Sequence, residues 1–223
     1  MISTPDNLLT MARRMLPDAN LAATNLPLCP EIQLWLFNGD ALNRPLSPDE
    51  QLSVQEYPCY WAFCWASGHL LARYILDHPK LVKDRTVIDV GCGSGAVAVA
   101  AAMAGARQAI GCDLDPDALA ATDANARLNG VRVDLLDDFF NWRPEPGFIP
   151  EPLIVAADLL YDRGNLPLVD EFLKRSRHVL IGDSRIRDFS HPSFETTDTC
   201  ESSNQPESSG FDEFHTVNVY QSF

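Results

Sequence analysis

Residues 87–96 read VIDVGCGSGA. With Thr86 ahead of it, Thr86–Val90 is a mostly apolar run of strand length, the pattern of a strand buried on both faces. Glycines at 91, 93 and 95 then turn the chain, and the alanine-rich stretch Ala96–Ala104 predicts a helix stopped by Gly105. Such a turn lets backbone pass close to a ligand and aims the next helix's N-terminus at it. With Ala96 the run also satisfies the looser dinucleotide pattern GxGxxG/A. The glycines alone therefore do not choose among nucleoside ligands.

Toward the C-terminus the alternation continues. Gln108–Cys112 predicts a second strand, closed by Asp113, which is placed to take the two hydroxyls of a ribose. Asp115, Pro116 and Asp117 form a helix start, and Asn129-Gly130 a left-handed stop. Val131–Leu136, Leu153–Ala157 and His178–Gly182 read as further strands, and Leu166–Arg177 as a helix with a basic last turn. Strands alternating with helices predict a parallel α/β sheet. Four prolines between Trp142 and Leu153 predict an irregular crossover, and Trp142 reads as structural, closing the adenine side. After Asp183 the helical period stops. Phe194–Cys200 and Phe214–Phe223 read as an antiparallel pair, joined by the polar segment ESSNQPESSGFDE as a mobile spacer. The predicted class is α/β: a Rossmann-like doubly wound sheet, mostly parallel, with an antiparallel C-terminal β-hairpin.

Toward the N-terminus, EYPCYWAFCWASGHLLARYILDHPK packs aromatics and then predicts a helix. Ser67 is its expected cap, Leu70, Leu71, Tyr74 and Ile75 its apolar stripe, and His78-Pro79 its end. The first 58 residues hold seven of the sixteen prolines. They predict a short helix near 6–15, a strand at Ile32–Phe37, then a loop. One domain spans 1–223, with an extension at 1–55, a ligand-binding core at 56–183 and the hairpin at 184–223.

Composition removes whole classes of partner. Lys and Arg number 17 against 31 Asp and Glu, a net charge of −14 over 223 residues. A nucleic-acid binder needs a basic stripe, so none is expected. No apolar run approaches the roughly 18 residues of a membrane span, and no secretory apolar core is present. The six cysteines show neither CxxC nor metal-ligand spacing with histidine, which predicts reduced thiols, no metal and a cytoplasmic protein. The five histidines form no triad with a nucleophile, and Cys92 reads as packing.

Three features choose the nucleoside. Asp89, two residues before Gly91, repels a pyrophosphate but suits a ligand carrying an ammonium and a sulfonium. Asp137 or Asp138, closing the third strand, can accept a hydrogen bond from an adenine amino group. The terminal hairpin replaces the sixth parallel strand of a dehydrogenase. All three favour S-adenosylmethionine over NAD.

Between Tyr57 and Asp183 the motifs YWAFCWASGHLLARYILDHP, VIDVGCGSGAVAVAA, GCDLDPDALAATDANARLNG, LIVAADLLYD and VLIGD stand in order. In these the sequence resembles the seven-strand, class I S-adenosylmethionine-dependent methyltransferases. It is most similar to their protein-lysine branch, in particular the electron-transfer flavoprotein β-subunit lysine methyltransferases, whose bacterial relatives are labelled nicotinamide N-methyltransferase-like. The resemblance implies cofactor contacts through Trp65, Asp89, Gly91, Gly93, Gly95, Asp113 and the acid after the third strand, Asp137 or its neighbour. It also implies that Asp158-Leu-Leu-Tyr161, an acidic-x-x-aromatic motif, lies beside the methyl donor. Asp158 then holds an incoming amine and Tyr161 walls its channel.

Duller readings stand beside these. Asp158 as a loop cap, Tyr161 as rim packing, and Trp61 with Trp65 as a core pair rather than a cofactor lid all fit the sequence. The expected activity is N-methylation of lysine on a protein substrate. A small amine or pyridine-type nitrogen, or a cofactor-binding protein without catalysis, are the alternatives. One departure concerns the acceptor side. The lysine-methylating relatives carry a helix between the fifth strand and the hairpin, for which Ser184–Pro192 is too short. Arg185 and Arg187 in that segment read as loop charges, or as contacts for an acidic acceptor.

Overall fold

Every residue of Thr86–Val90 is buried, as a strand covered on both faces requires. The structure, a computed structural model, describes residues 3–38, 44–144, 147, 150–186, 188–207 and 215–222. In chain order its elements are α1 (Asp6–Met15), β1 (Leu21–Asn25), β2 (Gln33–Phe37), α2 (Pro48–Glu56), α3 (Ala66–Asp77), β3 (Thr86–Val90), α4 (Ala96–Met103), β4 (Gln108–Cys112), α5 (Pro116–Leu128), β5 (Asp134–Leu136), β6 (Leu153–Ala157), α6 (Pro167–Leu173), β7 (His178–Asp183), β8 (Phe194–Glu201) and β9 (Thr216–Ser222). Seven strands form one sheet in the order β5-β4-β3-β6-β7-β9-β8. The first five run parallel, and β9 runs antiparallel to both β7 and β8. This is the mostly parallel sheet with an antiparallel C-terminal pair that the sequence predicts.

Alternate residues feed the two faces of the sheet. Val87, Val155 and Leu180 pack with α3 and α4 through Leu71, Ile75 and the alanines of α4. Ile88, Ile154, Val179 and Ile181 face the other way, onto Val169 and Phe172 of α6. From β3 the chain moves outward to β4 and β5, then crosses back to β6 on the other side. The carboxyl ends of β3 and β6, paired at Val90 and Ala156, therefore flank a topological switch point.

The first 55 residues back this arrangement up. Leu8, Met11 and Met15 of α1 join Trp35, Phe37 and Trp61 in a second core closed by Ala118 and Ala121 of α5. Buried Asn125 accepts from Trp35 N (2.7 Å) and donates to Ser94 O (2.8 Å), so β2, α5 and the glycine turn share one side chain. Leaving either backbone group unpaired in the interior would cost about 1–3 kcal/mol.

Several local expectations are corrected. The segment after β2 includes a helix, α2, started by a capping box between Ser47 and Glu50. β1, unforeseen, pairs antiparallel with β2. Trp65, not Ser67, stands at the N-cap of α3. The third parallel strand begins only at Asp134. α6 ends at Leu173, because Ser176 donates to Pro152 O (2.6 Å), accepts from His178 N (3.0 Å), and turns the chain into β7. Trp142 does not close the adenine side. It stacks on Phe139 and lines a cavity with Thr86 and Gln108, at the strand-start edge of the sheet.

The polar spacer is also not loose where it is described. Ser202, Asn204 and Gln205 are buried, and Gln205 exchanges backbone hydrogen bonds with Cys64. Its remainder, residues 208–213, lies outside the described residues, as do Arg187, Phe214, Phe223 and parts of the proline-rich crossover. Between β7 and β8 the described residues form no helix. Among the described residues no helix is long and apolar enough to cross a membrane.

Candidate functional site

The glycine turn leaves β3 with three left-handed residues, Gly91, Gly93 and Gly95, at φ of 73°, 52° and 77°. The amides of Gly91 and Cys92 both donate to Cys112 O, which pins the turn to the end of β4. Asp113 accepts from Gly93 N at Oδ2 (3.0 Å) and from Asp115 N at Oδ1 (3.0 Å). Burial raises the Asp113 carboxyl above its ordinary range, against the opposing pull of these amides. The glycines have different surroundings. A Cβ on Gly95 would lie 2.7 Å from Thr122 Oγ1, whereas one on Gly93 would meet nothing within 4 Å. The open side of the turn is at Gly93, and the residues around that space suit a nucleoside: the Asp113 carboxylate, and Leu114, which is 82% exposed.

Asp89 is buried beneath the turn. Its Oδ2 accepts from Ala98 N (3.1 Å), the third residue of α4, so it caps the helix from nine residues upstream. Burial, with a lesser push from Asp113, raises its pKa to about 7. At the end of β5 the two acids divide. Asp138 accepts from Phe140 N and caps the turn Phe139–Asn141, while Asp137 beside it is exposed.

The rim after β6 is knotted by carboxylates. Asp158 takes a left-handed conformation (φ 47°). Its Oδ1 accepts from Ser67 Oγ (2.7 Å), Ser184 Oγ (2.7 Å) and Ser184 N (3.1 Å), and its Oδ2 from Ser67 N (2.9 Å). Asn204 Oδ1 takes the amide of Ala66 (2.9 Å). The start of α3 is thus capped by two side chains distant in sequence rather than by its own. Fully buried Asp183 accepts from Arg185 N and Ile186 N at Oδ1 (both 2.8 Å) and from Leu160 N at Oδ2 (3.1 Å). Burial raises its carboxyl pKa. Tyr161 is 54% exposed. The Arg185 guanidinium carbon stands 5.3 Å from the ring centroids of both Trp65 and Tyr161, and Trp65 Nε1 donates to Tyr60 O (3.1 Å).

The sheet thus places Asp89 near the end of β3, the three glycines, Asp113 and Asp137 after β3, β4 and β5, and Asp158 and Tyr161 after β6, all at one end. Trp65 joins them from the start of α3, while Trp61 is core. Sequence reasoning missed Ser184, Asp183, Leu114 and Asn204, and read Ser67 only as a helix cap. An acid closing VLIGD, as one closes GCD, was a usable signal for Asp183, whereas nothing local marks Asn204. His69, fully buried, accepts from Leu28 N (2.9 Å) and pairs with Ser203 O (3.0 Å), a structural tie whose burial lowers its pKa. Cys92 is buried against Thr122.

Comparison with known proteins accords with this geometry. Residues 72–145 match the family described as "Ribosomal protein L11 methyltransferase (PrmA)". The electron transfer flavoprotein beta subunit lysine methyltransferase of Xenopus laevis is 37% identical over 180 residues, covering 76% of this chain and 70% of that protein. The ribosomal protein L11 methyltransferase of Actinobacillus succinogenes is 42% identical over 91 residues, covering 40% of this chain and 30% of that protein. Magnesium protoporphyrin IX methyltransferase from Synechocystis, solved with bound S-adenosylmethionine, shares the fold: TM-score 0.50 at 11% identity, covering 81% of this chain and 86% of that one. Fold and relatives are those of a class I, S-adenosylmethionine-dependent methyltransferase. Within that class the chain belongs to the electron transfer flavoprotein β-subunit lysine methyltransferase family. None of these descriptions names nicotinamide.

Proposed function

We propose that this methyltransferase acts on the side-chain amine of lysine in a protein substrate. The observation that carries the reading is the acceptor rim: Asp158 and Tyr161 follow β6, directly beside the glycine turn that follows β3. The match to the ribosomal protein L11 methyltransferase family ends at residue 145, before this rim, whereas the flavoprotein-type relative aligns over 76% of the chain. The former supports the donor half alone.

In this reading the open side of Gly93 admits the cofactor, Gly91 and Gly95 shape the turn, and Asp113 takes the ribose hydroxyls. Asp137, whose neighbour Asp138 is engaged as a cap, meets the adenine amino group, and Leu114 covers the base. Asp89 and Trp65 stand toward the amino-acid end. The cofactor supplies a methyl group that is already a strong electrophile. What remains for the chain is alignment, worth on the order of 7–11 kcal/mol at best, and a neutral nucleophile. A lysine amine has an ordinary pKa of roughly 10.4 and is mostly protonated at neutral pH. Each carboxylate oxygen offers about two acceptor positions. Three donors meet Asp158 Oδ1 and one meets Oδ2, so Oδ2 keeps a position for an N–H of the incoming amine. Tyr161 walls the approach, desolvation favours the neutral amine, and its proton leaves to water.

Calorimetric titration tests the donor half. Micromolar binding of S-adenosylmethionine and of its demethylated product, with no heat from NAD, is the expected result. The affinity should also depend on pH. A sulfonium and an ammonium favour ionised Asp89, whose pKa is about 7 before binding. Binding therefore releases a proton at low pH and weakens as pH falls, by up to about tenfold between pH 8 and pH 6. Asp89→Asn, which keeps an oxygen for Ala98 N, should flatten that profile. For the acceptor, labelled methyl groups are followed into purified electron transfer flavoprotein β-subunit. Label on lysine supports the reading. Label confined to small molecules of a lysate, or to a nitrogen other than lysine, overturns it.

A further inference from the structure

Arg185 already places a cation at the acceptor rim. Its guanidinium carbon lies 5.3 Å from the Trp65 ring centroid and 5.3 Å from that of Tyr161, so one positive group contacts two aromatic faces. Both distances fall inside the roughly 6 Å over which a ring attracts a cation. The arrangement is anchored on each side. Arg185 N donates to buried Asp183, the neighbouring Ser184 donates to Asp158, and Trp65 is tied through its indole nitrogen to Tyr60. The slot therefore stands within one residue of the Asp158 knot on the Arg185 side and three residues from Asp158 on the Tyr161 side.

Two ring faces that hold a guanidinium hold an alkylammonium, methylated or not, by the same attraction, and they offer a neutral amine or a pyridine much less. We propose that the Trp65–Tyr161 slot is the entry subsite for a cationic acceptor side chain, and that Arg185 fills it as an internal stand-in which the acceptor displaces. The inference rests on the reading of lysine as acceptor and adds the subsite that recognises its charge. It also gives Arg185 a role opposite to that of a contact for an acidic acceptor: Arg185 competes with the substrate instead of binding it.

The test uses the full chain saturated with S-adenosylhomocysteine, with Nε-trimethyllysine as the cationic probe and its neutral carbon isostere as control. Binding is read by tryptophan fluorescence and by NMR line shifts, neither of which needs turnover. Arg185→Gln should bind trimethyllysine about three- to tenfold more tightly than the parent chain, and the isostere should bind neither. Tyr161→Leu in the Arg185→Gln background should lose that gain. With a lysine-bearing protein acceptor, Arg185→Gln should lower KM with little change in kcat. Unchanged or weaker trimethyllysine binding in Arg185→Gln overturns the subsite, even if lysine methylation proceeds. A gain in probe binding with no methyl transfer to lysine by the parent chain or by Arg185→Gln keeps the subsite and sinks the protein-lysine reading.

Discussion

Gly93→Ala is expected to raise the dissociation constant for S-adenosylmethionine about ten- to hundredfold while leaving the fold nearly intact. Gly95→Ala is expected to do the reverse. At Gly93 a Cβ meets nothing within 4 Å, so the protein interior does not resist it. Its only folding cost is the left-handed backbone at φ 52°, about 1–2 kcal/mol for an L-residue. The added methyl instead projects into the space a bound nucleoside needs, and overpacking of that kind typically costs 1–3 kcal/mol, here taken from binding. At Gly95 the same methyl lies 2.7 Å, 2.8 Å and 3.0 Å from three atoms of Thr122, which is fully buried on α5. That clash comes on top of a left-handed backbone at φ 77°. The sum is about 2–4 kcal/mol of stability, or roughly 5–15 °C in Tm for a chain of this size. Adding Thr122→Ala should restore part of the loss, because two of the three clashing atoms disappear. Thermal melts and calorimetric titrations of both variants decide the matter. If Gly93→Ala binds the cofactor normally, the open side of the turn is not where the ligand lies. If Thr122→Ala restores nothing to Gly95→Ala, the steric account of that glycine fails.

What the sequence made legible was what neighbouring residues decide. Thr86–Val90, the three glycines and the Asp115-Pro116-Asp117 start of α5 are local signals, and each element lies where it was expected. The start of α2 was equally local: Ser47, Pro48 and Glu50 satisfy the capping-box rule, and reading a loop there overlooked a visible signal. β1 is different. LAATN has little intrinsic strand preference and becomes a strand because β2 offers it a partner. Nor does hydropathy see polar burial. Ser202 and Asn204 belong to a stretch of low hydrophobicity, yet they are buried because they bond the backbone of Ala66, more than 130 residues away. The same distance effect explains the start of α3. Ser67 has the composition of a cap, but α3 starts before it, at Ala66, and the helix's first amides, those of Ala66 and Ser67, are taken by Asn204 and Asp158. For Asp158 itself the sequence left two roles open, holding an amine or capping the loop after β6. The structure shows its carboxylate tying Ser67 at the start of α3 to Ser184 after β7, and the amine-holding role is the one we propose.

Asp158→Asn should therefore lower methyl transfer about a hundredfold or more, with cofactor affinity little changed and only a modest loss of stability. Asparagine is the informative replacement because it tolerates the left-handed backbone at this position better than alanine. It cannot satisfy every donor. The amide oxygen can stay with Ser67 N or with Ser184 N, but the NH2 group then faces the other backbone N–H, at a cost of about 1–3 kcal/mol. The hydroxyls of Ser67 and Ser184 can rotate to accept instead of donate, so the rest of the knot survives. The acceptor position at Oδ2 does not survive in the same form, since a neutral amide holds an amine more weakly than a carboxylate does. Misplacement of the nucleophile by even 1 Å can cost about a hundredfold. Ser184→Ala separates the two roles. It removes the 2.7 Å hydroxyl bond to Oδ1 and leaves both the charge and Oδ2 in place. If Asp158 acts only by holding α3 to the end of β7, turnover in the two variants should fall in proportion to their losses in Tm. If it also holds the amine, Asp158→Asn should lose far more turnover than its melting temperature accounts for, and Ser184→Ala should not. Full turnover in Asp158→Asn with unchanged cofactor affinity would remove Asp158 from the chemistry altogether and leave it as the cap of α3.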